Sequence, residues 1–202
     1  MFFNDSRGFS LIELLMVVAI MGVLAVIAVP MSGNTVRYLK LSGDARDLSN
    51  AAAVAKMRAA AKFTQARLYV DIAGRAFYVQ TYNKAAGTWT TEGGGATLLS
   101  STVSVSHGPV ATPPPETQTT IGQASPCMTM TGSPPVAVPV ANTACIIFNS
   151  RGIPVDSTGS PTGNEAVYLT DGTSVYGITL AATGFIRTWQ TNYTSTPTWT
   201  LQ

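Results

Sequence analysis

The chain has 202 residues, of which 46% are hydrophobic, 11% charged and 8% aromatic, with a formal charge of +2. That composition excludes a disordered tail or a strongly basic nucleic-acid arm, and the length suits one domain plus an anchoring segment. One histidine and two cysteines without a CxxC leave no credible zinc set.

The first element is apolar. Residues Arg7 to Pro30 read RGFSLIELLMVVAIMGVLAVIAVP, and Leu14 to Met31 is an uncharged run of 18 residues. That is the lower limit for a helix that crosses a membrane. Glu13 stands just before it, six residues after Arg7, which is the only cation of the first 36 residues. A carboxylate costs roughly 2.5–3.5 kcal/mol at a bilayer centre and less near the interface, so its presence needs a reason. From the residues alone the segment is a plain transmembrane anchor or a secretory signal cut near AVIAVP. Against the signal stand the single basic residue, the glutamate, and an apolar run longer than the usual ~7–15 residues.

The string RGFSLIELL closely resembles the prepilin processing motif of type IV pilins and type II secretion pseudopilins. The resemblance implies a leader over residues 1–8 (MFFNDSRG), removed between Gly8 and Phe9 by a prepilin peptidase that also methylates the Phe9 amine. Glu13 matches the glutamate at the fifth position after the cut, and Pro30 matches the proline that usually interrupts this helix. It further implies an inner-membrane precursor with its head in the periplasm, handed by an inner-membrane assembly platform into a filament of pilins or pseudopilins. No cofactor is implied.

The cut explains the charge. It leaves a cationic amine on Phe9 within one helical turn of Glu13, and a buried ion is tolerable only when paired. In a filament, the amine of one subunit meeting Glu13 of the next fixes axial register. Before assembly, Glu13 pairs with its own amine or reaches the lipid headgroups. Gly22 and Pro30 predict a kink or melted stretch, Pro30 removing a backbone donor.

Residues 9–36 are therefore expected to form the membrane and filament-core helix, and 37–66 its amphipathic continuation. Leu41, Ala45, Leu48, Ala52, Ala55, Ala59, Phe63 and Ala66 recur at three- and four-residue spacing, one apolar stripe suited to packing on a sheet. From Arg37 to Arg67 there are seven Lys/Arg against two Asp, and these charges read as a solvated helix face. Beyond Leu68, four cations face six acids.

From Arg67 the period becomes two, in a β-rich head spanning 67–202. RLYVDIAGRAFYVQTY reads as a hairpin around Ala73–Gly74, GTWTTEGGG as turn, strand and loop, and ATLLSSTVSVS as another strand. His107 to Thr143 holds most of the prolines and reads as an irregular excursion with room for one short strand. If the chain is exported, Cys127 and Cys145 are expected to bond at the base of that loop (about 107–145), worth about 3 kcal/mol in chain entropy. CIIFNSRGIPV, EAVYLTDG and VYGITLAATGFIRTWQ suggest three further strands, and the tail TNYTSTPTWTLQ a loop or a final short strand. The predicted fold is α+β: a long N-terminal helix packed on an antiparallel β-sheet head. IIFNSRGIP followed by GITLAATGFIR resembles the C-terminal pattern of the GspH/FimT pseudopilins, with Gly152 in a turn and Gly184 and Arg187 in the terminal Gly-x-x-Arg.

Catalysis is not expected. His107 lies alone in a loop, no nucleophile, Walker or dinucleotide motif occurs, and Asp156 and Asp171 sit in turns that favour Asp on geometry alone. Some GspH/FimT-like minor pilins capture DNA through a basic C-terminal motif. Arg187 is the one candidate here, and phosphate binding needs more neutralised charges than an acidic head offers. The expected function is a minor pilin or pseudopilin, with a DNA-binding minor pilin or a major pilin as alternatives. Glu13 argues against the very filament tip, because family members placed there usually lack it.

Overall fold

The computed structural model describes residues 10–93, 95–131 and 136–202, with side chains throughout except at 27–32, 34 and 131. The predicted leader and Phe9 lie outside these residues. Among the described residues one helix, α1 (Leu11–Ala61), precedes thirteen β-strands, an α+β arrangement as expected. The chain divides into two compact units, residues 1–37 and 38–202.

In the first unit α1 starts immediately after Ser10, whose carbonyl accepts the N–H groups of Glu13 (3.0 Å) and Leu14 (3.1 Å). The helix runs unbroken through Gly22 and position 30. Every large apolar side chain from Leu11 to Val26 is at least 46% exposed. Among the described residues no helix is long and apolar enough to cross a membrane. The uncharged run predicted as an anchor continues over 27–31, whose side chains lie outside the described residues.

In the second unit, the remainder of α1 buries the predicted stripe from Leu41 through Ala45, Leu48, Ala52 and Ala55 to Ala59, each at 0% exposure. The stripe stops there. Thr64 N–H donates to the Ala59 carbonyl and Phe63 N–H to the Ala60 carbonyl, the paired bonds that close a helix over a left-handed residue. That residue is Phe63 (φ 49°), which points outward at 77% exposure. The expectation that Phe63 and Ala66 continue the helical stripe fails at this cap; Ala66 already lies in a strand.

One sheet has the order β3-β2-β1-β8-β9, with β1 (Ala66–Asp71), β2 (Ala76–Asn83), β3 (Thr88–Thr91), β8 (Thr143–Phe148) and β9 (Pro154–Val155), and β4 (Thr97–Leu98) pairs β2. The second has the order β13-β12-β11-β10-β5, with β5 (Ser104–Val105), β10 (Glu165–Thr170), β11 (Ser174–Leu180), β12 (Ile186–Asn192) and β13 (Thr200–Leu201). Three sequence expectations need correction. ATLLSSTVSVS supplies β4 to one sheet and β5 to the other. VYGITLAATGFIRTWQ is the hairpin β11–β12, because Ala181–Phe185 makes a turn with Gly184 at φ 77°. The Pro-rich excursion holds two strands, β6 (Met128–Thr131) and β7 (Val136–Pro139), paired as a separate hairpin.

Alternation places Leu68, Val70, Phe77, Val79, Ile146 and Phe148 from the first sheet against the helix alanines, joined by Val167, Leu169, Tyr176 and Ile178 from the second. Small residues on the helix let the sheet backbones approach, so one core serves both sheets. The opposite face of the second sheet carries a smaller cluster. Tyr168 packs there with Val110, Ala166 and Val175, and its hydroxyl donates to Gln118 Oε1 at 2.7 Å. The loop from Ser106 to Ala124 is thereby laid on that sheet.

Two carboxylates hold the head with opposite pH signatures. Glu92 receives Lys62 Nζ and Thr81 Oγ1 (2.8 Å), with Arg58 Nε at 3.7 Å, tying the end of α1 to the loop that leaves β3. The Lys62 and Thr81 hydrogen bonds hold its carboxyl below the ordinary range. Burial pushes the Glu165 carboxyl upward, with only Ser125 N–H (3.3 Å) opposing. The depressed Glu92 contributes stability that is present above the unfolded pKa and lost as pH falls through the folded one. For Glu165 the contribution is complete below the unfolded pKa and lost as pH rises through the folded one. Urea unfolding read by near-ultraviolet dichroism is therefore expected to show Glu165→Gln stabilising at about pH 7 and neutral at about pH 3. Glu92→Gln is expected to destabilise at about pH 7 and to match wild type at about pH 3.

Candidate assembly determinants and head surfaces

Ser10 and Glu13 stand at the N-cap and third helical positions, an S-x-x-E spacing that marks a capping box. A carboxylate in the first turn also meets the positive end of the helix dipole. The spacing is legible in the sequence, where it overlaps the cleavage motif. Phe9 and Gly8 lie outside the described residues, and Gly22 sits mid-helix with open space around its Cα.

Cys127 and Cys145 form the expected disulfide, with Cα atoms 4.9 Å apart. Cys145 lies on β8 opposite Tyr69, on the face of the first sheet turned away from α1, so the bond fastens the β6–β7 hairpin over that outer face. From Thr117 to Ser150 no residue is charged, and Met130 and Val136 on the hairpin are 58% and 59% exposed.

Gly152 and Gly184, matched separately to the GspH/FimT pattern, meet in space. A Cβ added at Gly184 would lie 2.4 Å from the Gly152 carbonyl oxygen, and Lys56 Nζ from the helix donates to the Gly184 carbonyl at 2.9 Å. Gly152 itself has φ 73° and lies under the Lys56 side chain. Arg187 is exposed three residues on, its guanidinium 5.6 Å from the ring of Phe185. Lys56 thus joins a corner where the sequence showed Arg187 alone. His107, expected alone in a loop, is half-buried: its Nδ1 is 3.2 Å from the Val110 carbonyl and its ring stands edge-on to Tyr168. Asp156 and Asp171 accept backbone N–H groups inside their own turns, as expected. Among the described residues no group of side chains could hold a metal ion.

The outer face of the first sheet holds what sequence reasoning missed. Arg67, read as part of a solvated helix face, is the second residue of β1 and is 5% exposed. Its Nε donates to Gln80 Oε1 (2.8 Å) and its Nη1 to the Met128 carbonyl (2.9 Å). The guanidinium lies 4.1 Å from the Trp89 ring and 5.3 Å from that of Tyr69, which stacks on Tyr78 at 4.7 Å. Trp89 also packs against Tyr82 at 5.2 Å, completing a ladder of rings across three strands. Burial lowers the Arg67 pKa to about 10, with Tyr69 and Tyr78 opposing, so the group is cationic at neutral pH. The signal for this was the alternation Arg67-x-Tyr69 facing Tyr78-x-Gln80-x-Tyr82, visible once the helix is ended at Ala61.

Residues 3–29 match the family described as the prokaryotic N-terminal methylation motif. No curated protein matches the chain. Among solved structures, the chain is similar to the minor pseudopilin EpsH from the type 2 secretion system of Vibrio cholerae, at 10% identity and a TM-score of 0.38, over 81% of this chain and 96% of that one.

Proposed function

We propose that this chain, whose N-terminus carries the prokaryotic N-terminal methylation motif of pilins and pseudopilins, is a minor subunit of a type IV pilus or type II secretion pseudopilus, GspH/FimT-like in its head. Subunits of these families are structural components, not enzymes. The observation that carries the reading is the apolar surface of Leu11–Val26, exposed around the whole helix behind Ser10 and Glu13 at its N-terminus. Such a surface needs lipid or the helices of other subunits to cover it. In this reading a prepilin peptidase removes residues 1–8 and methylates Phe9. The helix then anchors the subunit in the inner membrane and later packs in the filament, where Glu13 meets a neighbouring Phe9 amine.

Co-expression with a prepilin peptidase, followed by intact-mass analysis, is expected to show loss of residues 1–8 and gain of one methyl group. Gly8→Val is expected to keep the leader. Glu13→Val is expected to be cut normally yet to be depleted from sheared filaments, which separates register from processing. A mature N-terminus beyond Val29 would overturn the reading in favour of an ordinary secretory signal.

A further inference from the structure

Between the ring ladder of the first sheet and the disulfide-held hairpin lies a cavity of roughly 150 Å³, with Arg67 and Trp89 on the sheet side and Met130 and Ala137 on the hairpin side. Arg67 is its only charged lining residue, and among the described residues no carboxylate pairs with it. Its bonds to Gln80 and Met128 use one Nε–H and one Nη1–H, leaving further guanidinium donors for the cavity. Burying a cation without an anion is unfavourable. A guanidinium meant only to fasten the hairpin needs its hydrogen bonds, not its charge. The larger depression beside Lys62 and Lys84 differs here, because Lys62 is paired with Glu92 and Lys84 is bonded to the Phe63 carbonyl.

We propose that this cavity is a binding site for a carboxylate borne on an apolar or aromatic group, the carboxylate meeting the free edge of Arg67 and the apolar part resting between Trp89, Met130 and Ile147. A guanidinium fork matches the two oxygens of a carboxylate, and its orientation is fixed here by Gln80, the Met128 carbonyl and the Trp89 ring. Met130, Ala137 and Ile147 offer an apolar substituent a surface that an inorganic anion would not use. The carboxylate could be carried by a peptide terminus or by a free organic acid. The chemistry is shared, and the experiment separates the sources. The site does not depend on filament assembly.

The test uses the full chain in lipid nanodiscs, labelled with fluorotryptophan. Trp89 is one of three tryptophans, and its fluorine resonance is assigned with Trp89→Phe. N-acetylphenylalanine is expected to shift the Trp89 resonance saturably while leaving Trp189 and Trp199 in place. Its amide, which lacks the carboxylate, is expected to leave all three unmoved. Phenylacetate binding as well as N-acetylphenylalanine would assign the site to free organic acids, and markedly weaker binding would assign it to peptide termini; either supports the proposal. Arg67→Gln is expected to weaken binding at least about tenfold, the loss of one charge-assisted hydrogen bond. Because Arg67→Gln could loosen the hairpin, Met130→Glu provides a second variant at an exposed position, placing a competing carboxylate beside Arg67. It is expected to abolish the shift with the dichroism spectrum unchanged. Equal shifts from acid and amide, undiminished binding in Met130→Glu, or equal binding of inorganic phosphate would overturn the proposal.

Discussion

Gly184→Val is expected to lower the melting temperature of the head by roughly 6–20 °C, read by near-ultraviolet dichroism. Two costs add. A β-branched residue at φ 77° bears about 1–3 kcal/mol of backbone strain, and a Cβ placed 2.4 Å from the Gly152 carbonyl forces a further shift of about 1–3 kcal/mol. The obstacle is backbone held on both sides, since Lys56 bonds one glycine turn and covers the other. Gly172 supplies the control: its φ is 84°, but nothing lies within 4 Å of the added carbon. Gly172→Ala reports strain alone, so Gly184→Ala must cost more. Equal losses at the two sites would mean that the Gly152–Gly184 contact yields freely.

Cys127→Ala with Cys145→Ala is expected to destabilise the head by about 3 kcal/mol, the chain-entropy value for a closed loop with a sequence separation of 18. The loss should be local before it is global. Hydrogen exchange is expected to rise first over Met128–Thr131 and Val136–Pro139, which pair only with one another. Strands β1 and β2, whose inner residues sit in the shared core, should keep their protection until global unfolding. Uniform acceleration along the chain would show that the bond supports the whole head rather than its hairpin.

What could be read from the residues depended on how far apart the interacting groups lie. The N-terminal motif is local, six residues from Gly8 to Glu13, and the disulfide needed only two cysteines and a guess about compartment. The helix stripe was legible to Ala59. It misled at Phe63 because a left-handed cap there carries a phenylalanine where glycine is usual, so no breaker interrupted the period. Strand existence followed from alternation, but sheet membership did not. Ser104–Val105 pairs with β10, some sixty residues later (Leu169↔Val105), and nothing in ATLLSSTVSVS announces that. Arg67 was hidden for the same reason. Its partners Trp89, Gln80 and Met128 come from three separate segments, and counting charges along the chain placed it among exposed helix cations.

The register of β1 has a consequence for the order of events during synthesis. Its first neighbour, β2, follows after a four-residue turn, so that pair can close as soon as it is made. Its other neighbour, β8, brings Phe148 to Ala66 across most of the head. Until Phe148 has emerged, β1 shows a bare strand edge. Cys127 emerges before Cys145, and Cys145 is itself part of β8. The disulfide can therefore form only as the sheet becomes able to close, and oxidation then locks a hairpin onto a surface that did not exist a few residues earlier. The covalent staple, and with it the hold of the hairpin over the ring ladder, would thus await the arrival of one six-residue strand.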